Sequence, residues 1–211
     1  MIFDEESSFE EAVISVLKQH GWDDSEGILR YPTEQVLIDN WAKILFNNNS
    51  GIDCLNGCPL TKGEMAQIIE QIETAETPLA LNGFINGKTI AITRDNPDDT
   101  LHLGKEVGLK IYDRQEITAG QSRYQIAQQI KYSAKNKMSN DRRGDLCLLS
   151  NGMPVIHIEL KRSGVPVSQA TTQIEKYAHE GVFTGLFRLV QIFVGMTPDE
   201  AVYFANPGAE A

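Results

Sequence analysis

Asp145-Leu-Cys-Leu-Leu149, then Asn151-Gly152, then Val155-Ile-His-Ile-Glu-Leu-Lys161 is the stretch that decides the fold. Both flanking runs are β-prone, and Asn-Gly between two such runs is the strongest short-range signal for a tight hairpin. Side chains alternate along a strand, so His157, Glu159 and Lys161 share one face while Ile156, Ile158 and Leu160 point to a core. A turn centred on Asn151 and Gly152 sets Asp145 opposite residue 158, and one extra residue would set it opposite 159. In either register Asp145 and Glu159 become neighbours at the open end. Two carboxylates that close repel unless a cation lies between them, and hard oxygen ligands suit Mg²⁺ or Mn²⁺. The Lys161 Cα lies about 7 Å further along the strand, within reach of a metal-bound water or a phosphate oxygen.

After a loop containing Pro166 comes Ser168, read as a helix cap, and a helical run that ends at Gly181. Ala170, Ile174, Tyr177 and Ala178 make its apolar face, and Gln173 with Tyr177 forms an i, i+4 pair on the edge. Asp-x13-Glu-x-Lys followed by Gln-x-x-x-Tyr resembles the PD-(D/E)xK nuclease superfamily. The stretch from Arg142 to Tyr177 looks like the N-terminal nuclease domain of type I restriction enzyme R subunits. The resemblance implies that Asp145 and Glu159 bind the metal, that Lys161 positions or activates the attacking water, and that Gln173 and Tyr177 support the site and nearby DNA. It also implies a role for Glu10, since a glutamate of the first helix often approaches the metal in that superfamily; a solvent-exposed Glu10 is the plain alternative. The sequence departs from the pattern at Arg143-Gly144, where the superfamily has a proline before the aspartate. His157 is read as a packed or surface strand histidine, with ligand or base as the alternative.

The chain has 211 residues, 41% hydrophobic and 23% charged, the composition of an ordinary soluble globular protein. We expect one endonuclease domain over 1–211, with an N-terminal helical part over about 7–76 and a catalytic core over about 100–200. No apolar run has membrane-spanning length and the acidic start is unlike a signal peptide, so a cytoplasmic place is expected. Cys54, Cys58 and Cys147 are read as reduced thiols, because Cys-x3-Cys alone is a poor zinc signature.

The net charge of −10 is unevenly spread. Residues 1–100 hold 18 acids against 6 bases, and residues 101–211 hold 11 against 13. Lys131, Lys135, Lys137, Arg142 and Arg143 crowd just before Asp145, where a phosphate backbone approaching the carboxylates would meet them. A basic surface loop without a ligand is the alternative.

Helical spacing predicts helices over 7–20, with Phe9, Ala12, Val13, Val16 and Leu17 inward, Glu10 at the edge of that face and Glu11 outside it. Residues 33–46 and 63–76 read as two further helices on one side of the sheet. Residues 79–85, 89–94, 107–112 and 189–196 read as strands, and 122–130 as strand or helix. Gly83 to Thr89 mimics a phosphate-binding loop but has one residue too few between its glycines and precedes a strand, so ATP is not expected to bind.

The expected fold is α/β, a central mixed sheet flanked by helices. The expected reaction is Mg²⁺-dependent hydrolysis of DNA, with double-stranded DNA, the helicase-like motor domains of the same subunit, and modification and specificity subunits as partners. On the resemblance, the motor is absent and the chain is an excised nuclease domain or a truncated relative. A non-cleaving docking module, and a nuclease for RNA or branched DNA, are the alternatives.

Overall fold

The computed structural model describes residues 2–22, 27–75, 77–85, 89–111, 122–132 and 142–208. Its main sheet has six strands in the order β1-β4-β5-β6-β7-β8. These are β1 (Leu29–Arg30), β4 (Tyr124–Tyr132), β5 (Arg142–Ser150), β6 (Met153–Leu160), β7 (Ile192–Met196) and β8 (Ala201–Ala205). The β1–β4 and β6–β7 pairs are parallel and the others antiparallel, so the sheet is mixed as expected. A separate antiparallel ribbon joins β2 (Thr89–Thr93) to β3 (Glu106–Lys110).

Apolar residues cover both faces of the main sheet. On one face α1 (Glu6–Gln19) lays Phe9 and Ile14 against Ile126, Leu146, Leu148, Ile158 and Leu160. Each such side chain taken fully out of water contributes about 1.5–3 kcal/mol. The helix is where the spacing put it, but Ile14 is buried and Val16 is exposed, because the helix is rotated toward the Glu10 side. On the other face α2 (Glu34–Asn49) and α3 (Lys62–Thr74) pack Leu37, Trp41, Leu45, Met65, Ile68 and Ile72 over Ala127, Cys147 and Leu149. A reciprocal amide pair between Asn40 and Gln125 (3.0 and 3.1 Å) ties α2 to β4. Arg94 at the end of β2 reaches Glu64 of α3 at 2.7 Å and Asp99 at 2.9 Å, all fully buried, which fixes the ribbon against the helices.

Several expectations need correction. Residues 79–85 are not a strand but the helix α4 (Pro78–Ile85). Proline suits a first helical turn, and the Thr77 hydroxyl accepts the Ala80 N–H as a cap, so local capping outweighs the β-prone look of the run. The strand expected over 189–196 begins at Ile192, because Gly185–Leu189 forms a 3-10 turn. Residues 122–130, left between strand and helix, are strand β4. Ser168 is the first residue of α5 (Ser168–His179) rather than a side-chain cap, and Ala178 faces solvent. Asn86 and Gly87, between the two expected strands, and Tyr112, Lys135 and Lys137 lie outside the described residues. Among the described residues no helix is long and apolar enough to cross a membrane.

Candidate active site

The hairpin turn is made by Asn151 (φ 49°) and Gly152 (φ 85°), both left-handed as the tightest hairpin turn requires. Gly152 is also required by contact, since a Cβ there would lie 2.9 Å from Trp41 Cδ1. Near the turn Leu149 pairs with Pro154, but beyond it Leu148 pairs with Ile156, so Val155 is an extra residue, a bulge. Proline brings no N–H and is tolerated at such a break. The bulge moves the register by one. With Leu146 opposite Ile158, Asp145 falls level with Glu159, and the two carboxylates share a face. A two-residue turn alone would have set Asp145 against residue 158, on the core side.

Glu159 is fully buried and held at both oxygens. His157 Nε2 lies 2.9 Å from Oε1, and Gln173 Nε2 donates to Oε2 at 2.7 Å. The Gln173 amide also reaches the Tyr177 hydroxyl at 2.7 Å, and that hydroxyl donates to the Arg143 carbonyl at 2.6 Å. The expected Gln173–Tyr177 pair therefore clamps the Glu159 side chain to the backbone beside Asp145. Helix α5 comes close enough for this because Gly195, opposite Glu159 on β7, has no side chain; a Cβ there would lie 3.0 Å from Thr171 Cγ2.

Asp145 accepts the Leu160 N–H at 2.8 Å on Oδ2 and the Gln129 amide at 3.3 Å on Oδ1. Both carboxyls have pKa values raised far above the ordinary range, Asp145 to about 7 and Glu159 to about 8. Burial is the main cause for each, and for Asp145 the Glu159 charge is second. Lys161 opposes both rises through its nearby positive charge. Its Nζ donates to the Leu160 carbonyl at 3.0 Å and lies 3.6 Å from Glu6 Oε1.

Glu10 is buried, not solvated, and Gln129 Nε2 donates to its Oε2 at 2.7 Å. The structure thus brings together Asp145, Glu159, Lys161, Gln173 and Tyr177, with Glu10 joined through Gln129. His157 is fully buried behind Glu159, between it and the Tyr132 hydroxyl at 3.0 Å, and presents no free face. Lys131 and Arg143 are exposed cross-strand neighbours, whereas Arg142 makes a two-pronged ion pair with Glu180, 2.7 Å at each prong.

Sequence reasoning passed over Gln129 and Tyr132, and noted Gly144 only as a departure from the pattern. The available signal was the adjacent amides Gln128-Gln129 between Ile126-Ala127 and Ile130, since amides buried in a sheet need polar partners. Gly144 stands where the superfamily has proline because a Cβ at that position would meet His157 Cε1 at 2.7 Å and Tyr132 at 2.8 Å.

A groove of about 460 Å³ opens beside the pair, lined by Arg142, Lys161, Lys176, Gln169, Thr172 and Gln173 among others, with no carboxylate in its wall. A larger groove of about 560 Å³ lies between α2 and α3, but its floor is aliphatic and its acids, Asp39, Glu70 and Glu73, are separate and exposed. Among the described residues no group of three or more His, Cys, Asp or Glu side chains is arranged to hold a metal ion. Mg²⁺ typically takes one or two carboxylates and fills its shell with water and substrate phosphate, so the donor set of Asp145 and Glu159 fits that ion.

A mixed sheet flanked by helices, with paired acids and a lysine at the ends of neighbouring strands, defines a restriction-endonuclease-like domain. The chain belongs to the family of type I restriction enzyme R protein N termini, whose model matches residues 2–211. It is 30% identical to the type I restriction enzyme SsaAORF53P endonuclease subunit of Staphylococcus saprophyticus, over 100% of this chain and 20% of that protein. It is 28% identical to the SauCOLORF180P endonuclease subunit of Staphylococcus aureus over the same shares. Against the EcoprrI endonuclease subunit of Escherichia coli it is 30% identical over 75% of this chain and 54% of that protein. The chain therefore spans about a fifth of the length of the staphylococcal relatives.

Proposed function

We propose that the chain is a metal-dependent endonuclease domain that hydrolyses DNA phosphodiester bonds within a type I restriction system. The observation that carries this reading is the Asp145–Glu159 pair: a part-buried and a fully buried carboxylate level with each other on one sheet face, with Lys161 the nearby cation whose charge opposes but does not cancel the rise in their pKa values. Proteins seldom bury like charges together unless a cation joins them in the working state. Family membership and the endonuclease subunits among its relatives support the same conclusion.

Asp145 and Glu159 would hold Mg²⁺ or Mn²⁺, which when bound polarises the phosphoryl oxygen and lowers the pKa of a coordinated water. Lys161 lines the groove beside the pair, where its ammonium orients the attacking water and offsets charge that develops on the phosphate. Gln173 and Tyr177 fix the Glu159 carboxylate so that one face of it stays turned to Asp145. Lys131 and Arg143, joined by Lys135, Lys137 and Arg142 of the same basic run, would meet the DNA backbone. Lys176 on the groove wall extends that surface. ATP-driven motor domains and the modification and specificity subunits would be supplied by the rest of the enzyme, working in the cytoplasm.

The test is cleavage of supercoiled plasmid by the assembled enzyme. Glu159→Gln is preferred to alanine because it keeps the amide-sized side chain between His157 and Gln173. Glu159→Gln and Lys161→Ala should each slow cleavage by about a hundredfold or more, with folding intact by circular dichroism. Wild-type rates in either variant would remove these residues from the chemistry.

A further inference from the structure

Gln129 breaks the backbone rule of its strand without breaking the strand. On either side of it β4 stays paired with β5, Gln128 to Leu146 and Ile130 to Gly144. Yet Gln129 has φ 54°, in the left-handed region that a residue with a side chain avoids. Holding such a residue there costs of order 1–3 kcal/mol and persists only where the surroundings impose it. Here they do. The twist aims the Gln129 side chain between α1 and β5, where its amide nitrogen donates to Glu10 Oε2 at 2.7 Å and to Asp145 Oδ1 at 3.3 Å. An amide nitrogen carries two hydrogens, and two carboxylates offer acceptors, so one group satisfies both.

We infer that Gln129 is a positioning residue for Asp145: it is held in a strained backbone so that its amide fixes the carboxylate which, on the reading above, binds the metal. Asp145 is then gripped from two sides, by the Leu160 N–H on Oδ2 and by Gln129 on Oδ1. Glu159 lies level with it across the strand pair. Glu10 acts through the same amide: it holds Gln129 in place, with the Gln128 amide on its other oxygen. Helix α1 thus acts on the geometry of the site through the Gln129 amide. Partners that orient a ligand in this way commonly change metal affinity by 10- to 100-fold when removed.

Gln129→Gly separates positioning from folding, because glycine adopts φ 54° without strain while the amide is lost. Mg²⁺ affinity is read by calorimetry on this chain at pH 8, and thermal melting is read without metal. The expected result is a Kd weakened about tenfold or more with the metal-free melting temperature little changed. A lowered metal-free melting temperature with an unchanged Kd would make Gln129 merely structural and overturn the inference. Gln129→Asn is the second variant, since asparagine tolerates the left-handed backbone but is one methylene too short to bridge both acids; it should lose affinity to a similar degree, and a wild-type Kd in it also overturns the inference. Wild-type protein that binds no Mg²⁺ would instead overturn the metal reading on which this inference rests.

Discussion

The Tyr132 hydroxyl, whose pKa burial holds well above 10, keeps its proton, and it lies 3.0 Å from His157 Nδ1. Burial also lowers the His157 pKa to about 4, so the ring is neutral and carries one hydrogen. With Tyr132 donating to Nδ1, that hydrogen sits on Nε2 and points at Glu159 Oε1. Glu159 is aimed by this chain of bonds, and the sequence could not show it, because Tyr132 is 27 residues from Glu159 and only strand pairing brings them together. Asp145, Glu159, Lys161, Gln173 and Tyr177 were legible because their spacing is short and lies on adjacent elements. A pH dependence follows. Asp145 and Glu159 have folded pKa values above their unfolded ones, so their contribution is complete below about pH 4 and lost as pH rises through about 7 and 8. His157 has the opposite sign and is spent below its ordinary value of 6.5. Between pH 6.5 and 8 the carboxyls act alone, so the metal-free melting temperature should fall there, and Asp145→Asn should flatten the fall. A rising or level wild-type profile over that range would contradict the buried pair.

At the scale of elements, the hairpin was readable from Asn151-Gly152, and its register was not. Both registers were open from the sequence, and the Val155 bulge chose the one that sets Asp145 and Glu159 on one face. Bulges depend on which N–H groups find partners across the sheet, and a single strand does not reveal that. Helix α4 was misread for a related reason: a short run dominated by Leu79, Leu81, Phe84 and Ile85 suits either state, and Thr77 and Pro78 decide it through a cap. Helix α5 was readable, but its closeness to the sheet depends on Gly195, 22 residues beyond Gln173. Gly195→Val should push α5 outward and lower stability by about 1–3 kcal/mol, measured by urea unfolding. Unchanged stability would mean that Thr171 and Ala170 yield freely and that α5 does not depend on the close approach.

For the whole molecule, the mixed sheet was legible as a class, while its order was not. Strands β1 and β8, of two and five residues, carry too little pattern to be seen in sequence, yet they form the two edges of the main sheet. The charge division acquires a spatial meaning: the acidic first half supplies α1 to α4, and the second half supplies the hairpin that carries Asp145 and Glu159 and the basic groove beside it. On the proposed reading Mg²⁺ binds the Asp145–Glu159 pair in the folded state alone, and such an ion stabilises that state by RT ln(1 + [L]/Kd). Thermal melting of this chain at pH 8, titrated with Mg²⁺, is therefore the most direct test of the metal site. The melting temperature should climb with Mg²⁺ in the wild type, at 100-fold over Kd by an amount equivalent to about 2.7 kcal/mol, and stay level in Asp145→Asn. An equal climb in both proteins, or none in the wild type, would contradict a metal site at Asp145 and Glu159.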